Sequence, residues 1–214
     1  MTDRAHLPDW LHWARRIEAI AQAGLTYCES AYDRERYSQL RALAAEILSA
    51  HTGASDATVL GWFDGQPGYA TPKVDVRAAC FRGDAILLVR ERSDGRWCLP
   101  GGWADVGDAP AASAEREVFE EAGFTARAER LIGVFDANRN HEGGKPLSYY
   151  HAYKLIFACG IEGGQPPEHT HEISEIGFFT RDALPPLSEA RTNRAQLERC
   201  FSAHADPSLD AHFE

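Results

Sequence analysis

Paired cysteines, clustered cations and long apolar runs are all missing from this chain, and each absence closes a class of function. The five cysteines, Cys28, Cys80, Cys98, Cys159 and Cys200, stand at wide, irregular spacing with no C-x-x-C pair. That pattern suits reduced thiols and speaks against a disulfide framework or a zinc site. No apolar stretch approaches the roughly 18 residues of a membrane helix, so no membrane span is expected. Lys and Arg number 22 against 32 Asp and Glu, a formal charge of −10. Such a surface repels a phosphate backbone, and nucleic acid is not an expected partner. The opening residues Met1 to His6 carry no basic segment leading into an apolar stretch. No secretory signal is therefore expected, and the cytoplasm is the expected location. Internal repeats and low-complexity tracts are absent as well.

What is present is the composition of a globular protein, 44% hydrophobic and 25% charged over 214 residues. That length suits one large domain, or a standard domain with a small appendage. Trp10, Trp13, Ala14, Ile17, Ile20 and Ala21 recur at three- and four-residue intervals, which predicts an amphipathic helix ending near Gly24. A second helix is expected after Asp33 as N-cap, carrying Tyr37, Leu40, Leu43, Ala44, Ile47 and Leu48 and stopping at Gly53. Glycines and prolines then concentrate between Gly61 and Pro72, which predicts a boundary.

Beyond the boundary the pattern changes. Residues 74–81 and 85–90 read as strands joined by a turn at Arg82-Gly83-Asp84. Later strand-like runs lie at Leu131 to Phe135, Ser148 to Cys159 and Ile173 to Phe179, and Arg191 to Ala203 reads as a helix. Strands and helices mix without strict alternation, so the expected class is α+β. The polar loop Ala137 to Lys145 suits substrate contact or disorder equally.

The chemistry concentrates in one segment. Gly101 to Asp108 form a Gly-rich loop, and Ala111 to Ala122 then predict a helix that Gly123 terminates in the left-handed conformation. Its expected apolar face holds Ala111, Ala114, Val118, Phe119 and Ala122. Glu117, Glu120 and Glu121, at i, i+3 and i+4, crowd another side. Like charges so spaced cost a few tenths of a kcal/mol per pair, and a bound divalent cation reverses the sign. Oxygen ligands without Cys or His favour a hard ion, Mg2+ or Mn2+. By itself an acidic cluster is more often a solvated helix face.

The wider pattern overturns that bland reading. Gly102, five residues, Asp108, seven residues, then Arg116-Glu117-Val118-Phe119-Glu120-Glu121-Ala122-Gly123-Phe124 resembles the Nudix box. The box reads Gly-x5-Glu-x7-Arg-Glu-apolar-x-Glu-Glu-x-Gly-apolar. Six identities at fixed spacing, each with a background frequency of roughly 6%, would coincide by chance on the order of once in a hundred million chains. One position departs: Asp108 stands where the family has glutamate, one methylene shorter than the residue expected to anchor Arg116. The Trp10-Leu11-His12-Trp13-Ala14 opening and Tyr69 to Arg77 are similar to a Nudix subgroup with a helical N-terminal appendage. That subgroup includes CDP-choline pyrophosphatases and proteins labelled ADP-ribose pyrophosphatases.

The resemblance implies an α/β/α sandwich with a mixed sheet over residues 67–214, preceded by a helical dimerisation domain over 1–66. It implies a pyrophosphohydrolase that cleaves the diphosphate linkage of a nucleoside diphosphate derivative such as CDP-choline or ADP-ribose. Glu117, Glu120 and Glu121 would bind Mg2+ or Mn2+ together with a Gly102 backbone oxygen, and Arg116 would position a glutamate. Gly101, Gly102, Trp103 and Arg90 are the candidate substrate contacts. The general base is open among Glu168, Glu172 and Glu175. Each is more often an ordinary exposed glutamate, and Glu172, just before a strand-like run, is carried forward. Trp97, Trp103, Phe135 and Tyr149 could stack on a base or sugar, although aromatics on strands are more often core. His151 reads as structural. The alternatives are a hydrolase of oxidised or capped nucleotides and a Nudix ligand-binding regulator without catalysis. The intact glutamates favour catalysis, and the unpartnered apolar faces of the N-terminal helices favour a homodimer.

Overall fold

The computed structural model describes residues 8–137, 151–167 and 171–214. The expected loop beyond Ala137, the strand residues before His151, Tyr149 and Glu168 lie outside them. A first compact unit ends at Pro72, and a second begins at Lys73.

The first unit is helical: α1 (Asp9–Tyr27), α2 (Ala31–Thr52) and α3 (Asp56–Asp64). Four details depart from the periodicity reading. The buried stripe of α1 is Leu11, Ala14, Glu18 and Ala21, while Trp13 and Ile20 are exposed. Ala14 joins Ala44 and Ala45 of α2 in one buried cluster, where small side chains let helices pack closely. Gly24 does not end α1. A Cβ there would come within 2.4 Å of the Tyr37 ring, so the glycine admits an α2 aromatic against the helix. The cap of α2 is Ser30, whose hydroxyl accepts from the Asp33 N–H at 3.4 Å, and Asp33 lies inside the first turn. Gly61 lies within α3, a helix capped by Ser55 and hidden from sequence reading by the Gly and Pro residues that follow. Gly53 closes α2 with φ of 77°.

The second unit holds strands β1 (Lys73–Arg82), β2 (Ala85–Glu91), β3 (Trp97–Cys98), β4 (Gly101–Trp103), β5 (Phe124–Asp136), β6 (Ala152–Gly164), β7 (Ile173–Thr180) and β8 (His212–Phe213), with helices α4 (Pro110–Ala122) and α5 (Arg194–Ala205). The order is β3-β2-β1-β6-β5-β8, with β4 on β1 and β7 on β2. The pairs β1·β6 and β5·β8 are parallel and the others antiparallel, so the sheet is mixed.

Alternation along β1 divides the interior. Val76, Ala78 and Cys80 point to the side holding Ala114, Val118 and Ala122 of α4. Ala79 points to the side holding Leu197, Cys200 and Phe201 of α5. A helix thus covers each face, which is the α/β/α arrangement. Asn193 and Gln196 form a capping box at the start of α5.

Candidate active site

The site is built where β4 passes the end of α4. Two short strands meet different partners: β3 pairs with β2, and β4 pairs with β1 through Trp103, Gly102 and Gly101 opposite Asp75, Val76 and Arg77. Sequence reading took Gly101 to Trp103 as loop, because two glycines carry little strand propensity. The ladder to β1 makes them strand. Gly101 adopts φ of 142°, and a Cβ there would stand 2.0 Å from the Val76 carbonyl oxygen and 2.9 Å from the Arg77 Cα. Only glycine fits.

Pro110 sits at the first turn of α4, and Gly123 closes the helix with φ of 72°. The Glu115 carboxylate accepts the Ala128 N–H at 2.8 Å, beside a register shift in β5 that frees this donor from the ladder. The helix is thereby tied to the sheet two residues before the first of its box glutamates.

The three box glutamates have different environments. Glu121 is buried, and its Oε2 accepts the Gly101 N–H at 2.9 Å. Burial pushes its carboxyl up to about 8, against the opposing pull of Arg77 and the Gly101 N–H. Glu117 is also raised, first by burial, with Glu120 and Glu172 adding to the rise and Arg116 and Arg77 resisting it. Its carboxylate faces Gly102, where a Cβ would come within 3.5 Å of Oε2. Glu120 points outward and pairs with Arg116 at 3.0 Å. The helical spacing brings the three residues to one side, but only Glu117 and Glu121 enter the interior.

Arg116 is a hub. Besides Glu120 it meets Glu117 Oε1 at 3.2 Å, Asp105 at 3.1 Å and Asp108 at 3.6 Å. The pair with the shortened Asp108 exists but is the longest of the four. Asp105, in the same loop, makes the closer contact and the hydrogen bond.

Trp103 is half-exposed, with the Lys73 ammonium 5.8 Å from its ring centroid. Arg90 donates to the Gly95 carbonyl at 2.8 Å and pairs with Glu175, so Glu175 is already engaged. Glu172 is exposed, and its charge is felt at Glu117. Trp97 packs edge-on against Phe179, and Phe135 is buried, so both are core. Phe119, expected on the apolar face, is 61% exposed. The α4 face against the sheet is narrow and is filled by Ala114, Val118 and Ala122.

Sequence reading missed the charged residues behind the glutamates. Arg77 is buried and bidentate on Asp75, with Nε to Oδ1 at 2.9 Å and Nη2 to Oδ2 at 2.8 Å. Lys154, also buried, stands 3.9 Å from Asp75 and donates to the Arg191 carbonyl. Glu91 pairs with Arg191 at 3.0 Å and accepts from the Cys98 thiol. Opposite charges two residues apart, Asp75 and Arg77, inside an apolar strand-like run were the available signal, since alternation puts them on one face.

The oxygen donors fit a hard divalent cation. Glycine at 102 leaves the ground before Glu117 open, and the desolvated Glu117 and Glu121 gain from nearby positive charge. Among the described residues no three His, Cys, Asp or Glu side chains gather closely enough to hold an ion by themselves. Ligation would therefore draw on backbone and substrate oxygens, or on Glu120 released from Arg116.

The chain is similar to known proteins along nearly its whole length. Residues 8–63 match the UDP-X-like N-terminal oligomerisation domain, and residues 71–200 match the NUDIX domain. YjhB of Bacillus subtilis, provisionally named an ADP-ribose pyrophosphatase, is 40% identical over 96% of this chain and 97% of its own. The crystal structure of a UDP-X diphosphatase superposes with a TM-score of 0.59 at 34% identity, covering 96% of this chain and 97% of that one. An ADP-ribose pyrophosphatase from Streptococcus suis superposes with a TM-score of 0.59 at 36% identity, covering 67% of this chain and all of that one. With the NUDIX domain matched over more than half its length and a relative similar from end to end, the chain belongs to the Nudix family.

Proposed function

We propose that this chain is a pyrophosphohydrolase that cleaves the diphosphate linkage of a nucleoside diphosphate derivative such as CDP-choline or ADP-ribose, using Mg2+ or Mn2+. The observation that carries the reading is the desolvated Glu117 and Glu121 pair set against Gly101 and Gly102. The names of YjhB and the two superposed diphosphatases support the substrate class.

Glu117, Glu120, Glu121 and the Gly102 carbonyl would hold the cation. Once bound, it would neutralise the diphosphate and acidify a water molecule. The chain's own residues do the rest. Arg116 orients Glu117 and restrains Glu120 through its two ion pairs. Glu172, exposed and within electrostatic reach of Glu117, suits removal of the water proton. The backbone at Gly101 and Gly102 offers close approach to the phosphates, and Trp103 offers a ring face to the base or sugar. Arg90 would contact substrate only by giving up Glu175.

We further propose that residues 1–66 act as a dimerisation domain and 67–214 as the hydrolase, forming a homodimer. Trp13, Ile20, Tyr27, Tyr32 and Leu43 support this, because they leave large apolar surface exposed on the helical unit. The free state of all five cysteines agrees with a reducing, cytoplasmic setting.

The test is incubation with CDP-choline and ADP-ribose, with and without Mn2+. The expected products are a nucleoside monophosphate and a phosphorylated remainder, formed only with the ion. Direct release of inorganic phosphate, or equal turnover in chelator, overturns the reading.

A further inference from the structure

Resting on that reading, we propose that Arg77 is a positioning residue: it fixes the bend at Leu99 to Gly101 whose last N–H aims Glu121. The need for such a residue follows from the strand pairing. Leu99 and Pro100 lie between β3, which belongs to the β2 ladder, and β4, which belongs to the β1 ladder. Neither ladder reaches the Leu99 peptide, yet Leu99 is fully buried, and buried backbone groups left unpaired are costly.

From the Leu99 N–H to the Gly101 N–H, every backbone polar group at this bend has a partner. The Leu99 N–H donates to the Thr192 hydroxyl at 3.0 Å. The Leu99 carbonyl accepts Arg77 Nη1 at 3.0 Å. Pro100 has no N–H, and its carbonyl accepts the Ala78 N–H at 2.9 Å. The next donor, Gly101 N–H, meets Glu121 at 2.9 Å. One end of the Leu99 peptide is thus held by the turn before α5 and the other by Arg77, with the glutamate one residue beyond Pro100.

Arginine is needed for its fork. Nε and Nη2 occupy Asp75 while Nη1 reaches Leu99, so the guanidinium spans from β1 to the bend. A lysine ammonium has a single nitrogen on a flexible stem and cannot reproduce that planar span. The Arg77 chain also lies against Gly101, where an added Cβ would meet its Cδ at 2.9 Å. The glycine and the arginine are therefore fitted to each other.

The experiment compares the full-length chain with Arg77→Lys, which keeps the charge, and Thr192→Val, which keeps Arg77 but frees the Leu99 N–H. Each is measured for kcat and KM on the nucleotide the wild type cleaves, and for Mn2+ affinity from the free-ion electron paramagnetic resonance signal. Loss of a residue that orients a metal ligand costs about 10–100-fold in metal affinity or activity. Both variants are expected to lose kcat and Mn2+ affinity by at least the lower figure, with KM within about twofold of wild type. Wild-type kcat and Mn2+ affinity in folded Arg77→Lys overturn the proposal. So does a normal Thr192→Val, which would separate Glu121 from the bend, and so does failure of both variants to fold, which would confine Arg77 to stability. A wild type that neither cleaves nor binds Mn2+ removes the functional reading itself, whereas an active wild type beside an unimpaired Arg77→Lys removes only the role of Arg77.

Discussion

The two adjacent glycines of β4 should respond to the same substitution in opposite ways. At Gly101 a methyl group is forced into backbone: φ is 142°, and the added Cβ would lie 2.0 Å from the Val76 oxygen. The backbone strain contributes about 1–3 kcal/mol. Overpacking against β1 adds about 1–3 kcal/mol more. Gly101→Ala should therefore cost about 4 kcal/mol, lowering Tm by roughly 10 °C in a chain of this size. It should also break the bond to Glu121. At Gly102 the φ is ordinary, and an added Cβ meets only the Glu117 carboxylate, at 3.5 to 3.6 Å, which is normal van der Waals contact. Gly102→Ala should therefore unfold within about 0.5 kcal/mol of wild type. Its methyl fills the ground before Glu117, so turnover should fall by about 100-fold. Urea unfolding followed by circular dichroism, with turnover measured on the same samples, reads both quantities. A Gly101→Ala chain as stable as wild type would refute the packing at β4. A fully active Gly102→Ala would refute the placement of the cation before Glu117.

Other expectations are more direct. Glu120→Gln should lower turnover by at least about tenfold while leaving Tm within a few degrees, because an amide is a poor ligand for hard cations; near-normal turnover would remove Glu120 from the ion. Asp105→Asn should impair turnover more than Asp108→Asn, since Arg116 stands 3.1 Å from the first and 3.6 Å from the second, and the reverse order in steady-state rates would assign the anchor to Asp108. In the helical unit Glu18 is buried 3.2 Å from Arg41, yet neither of its oxygens accepts a well-directed hydrogen bond, and burial pushes its carboxyl up to about 7. A raised carboxyl favours folding below its unfolded value near 4.5, and that contribution is lost as pH rises through about 7. Glu18→Gln should remove a stability loss of about 3 kcal/mol between those limits, and an unchanged slope in denaturation midpoints across pH 4 to 8 would contradict it. Light scattering at micromolar concentration should give a dimer, and a monomer throughout that range would defeat the proposed role of the helical domain.

Much of this protein was legible from local order. Glu117, Glu120 and Glu121 share a side because helical spacing puts them there, Gly123 stops their helix, and Gly83 turns the β1–β2 hairpin. Those features depend on residues a few positions apart, whose geometry follows from backbone dihedrals. The tertiary structure decided which glutamates are buried. Glu121 is desolvated because its helix ends against Gly101, 20 residues earlier, and Glu120 stays in solvent on Arg116. It also decided the α1 stripe, where Leu11, Ala14 and Ala21 are buried while Trp13 and Ile20 stay exposed, since the face a helix buries is set by what packs against it. The support behind the site was hidden most deeply. The Leu99 peptide is held by Arg77 and by Thr192, 93 residues apart from it in the latter case. No periodicity encodes such a pairing, because it exists only after two strand ladders part and leave a buried peptide that side chains must satisfy.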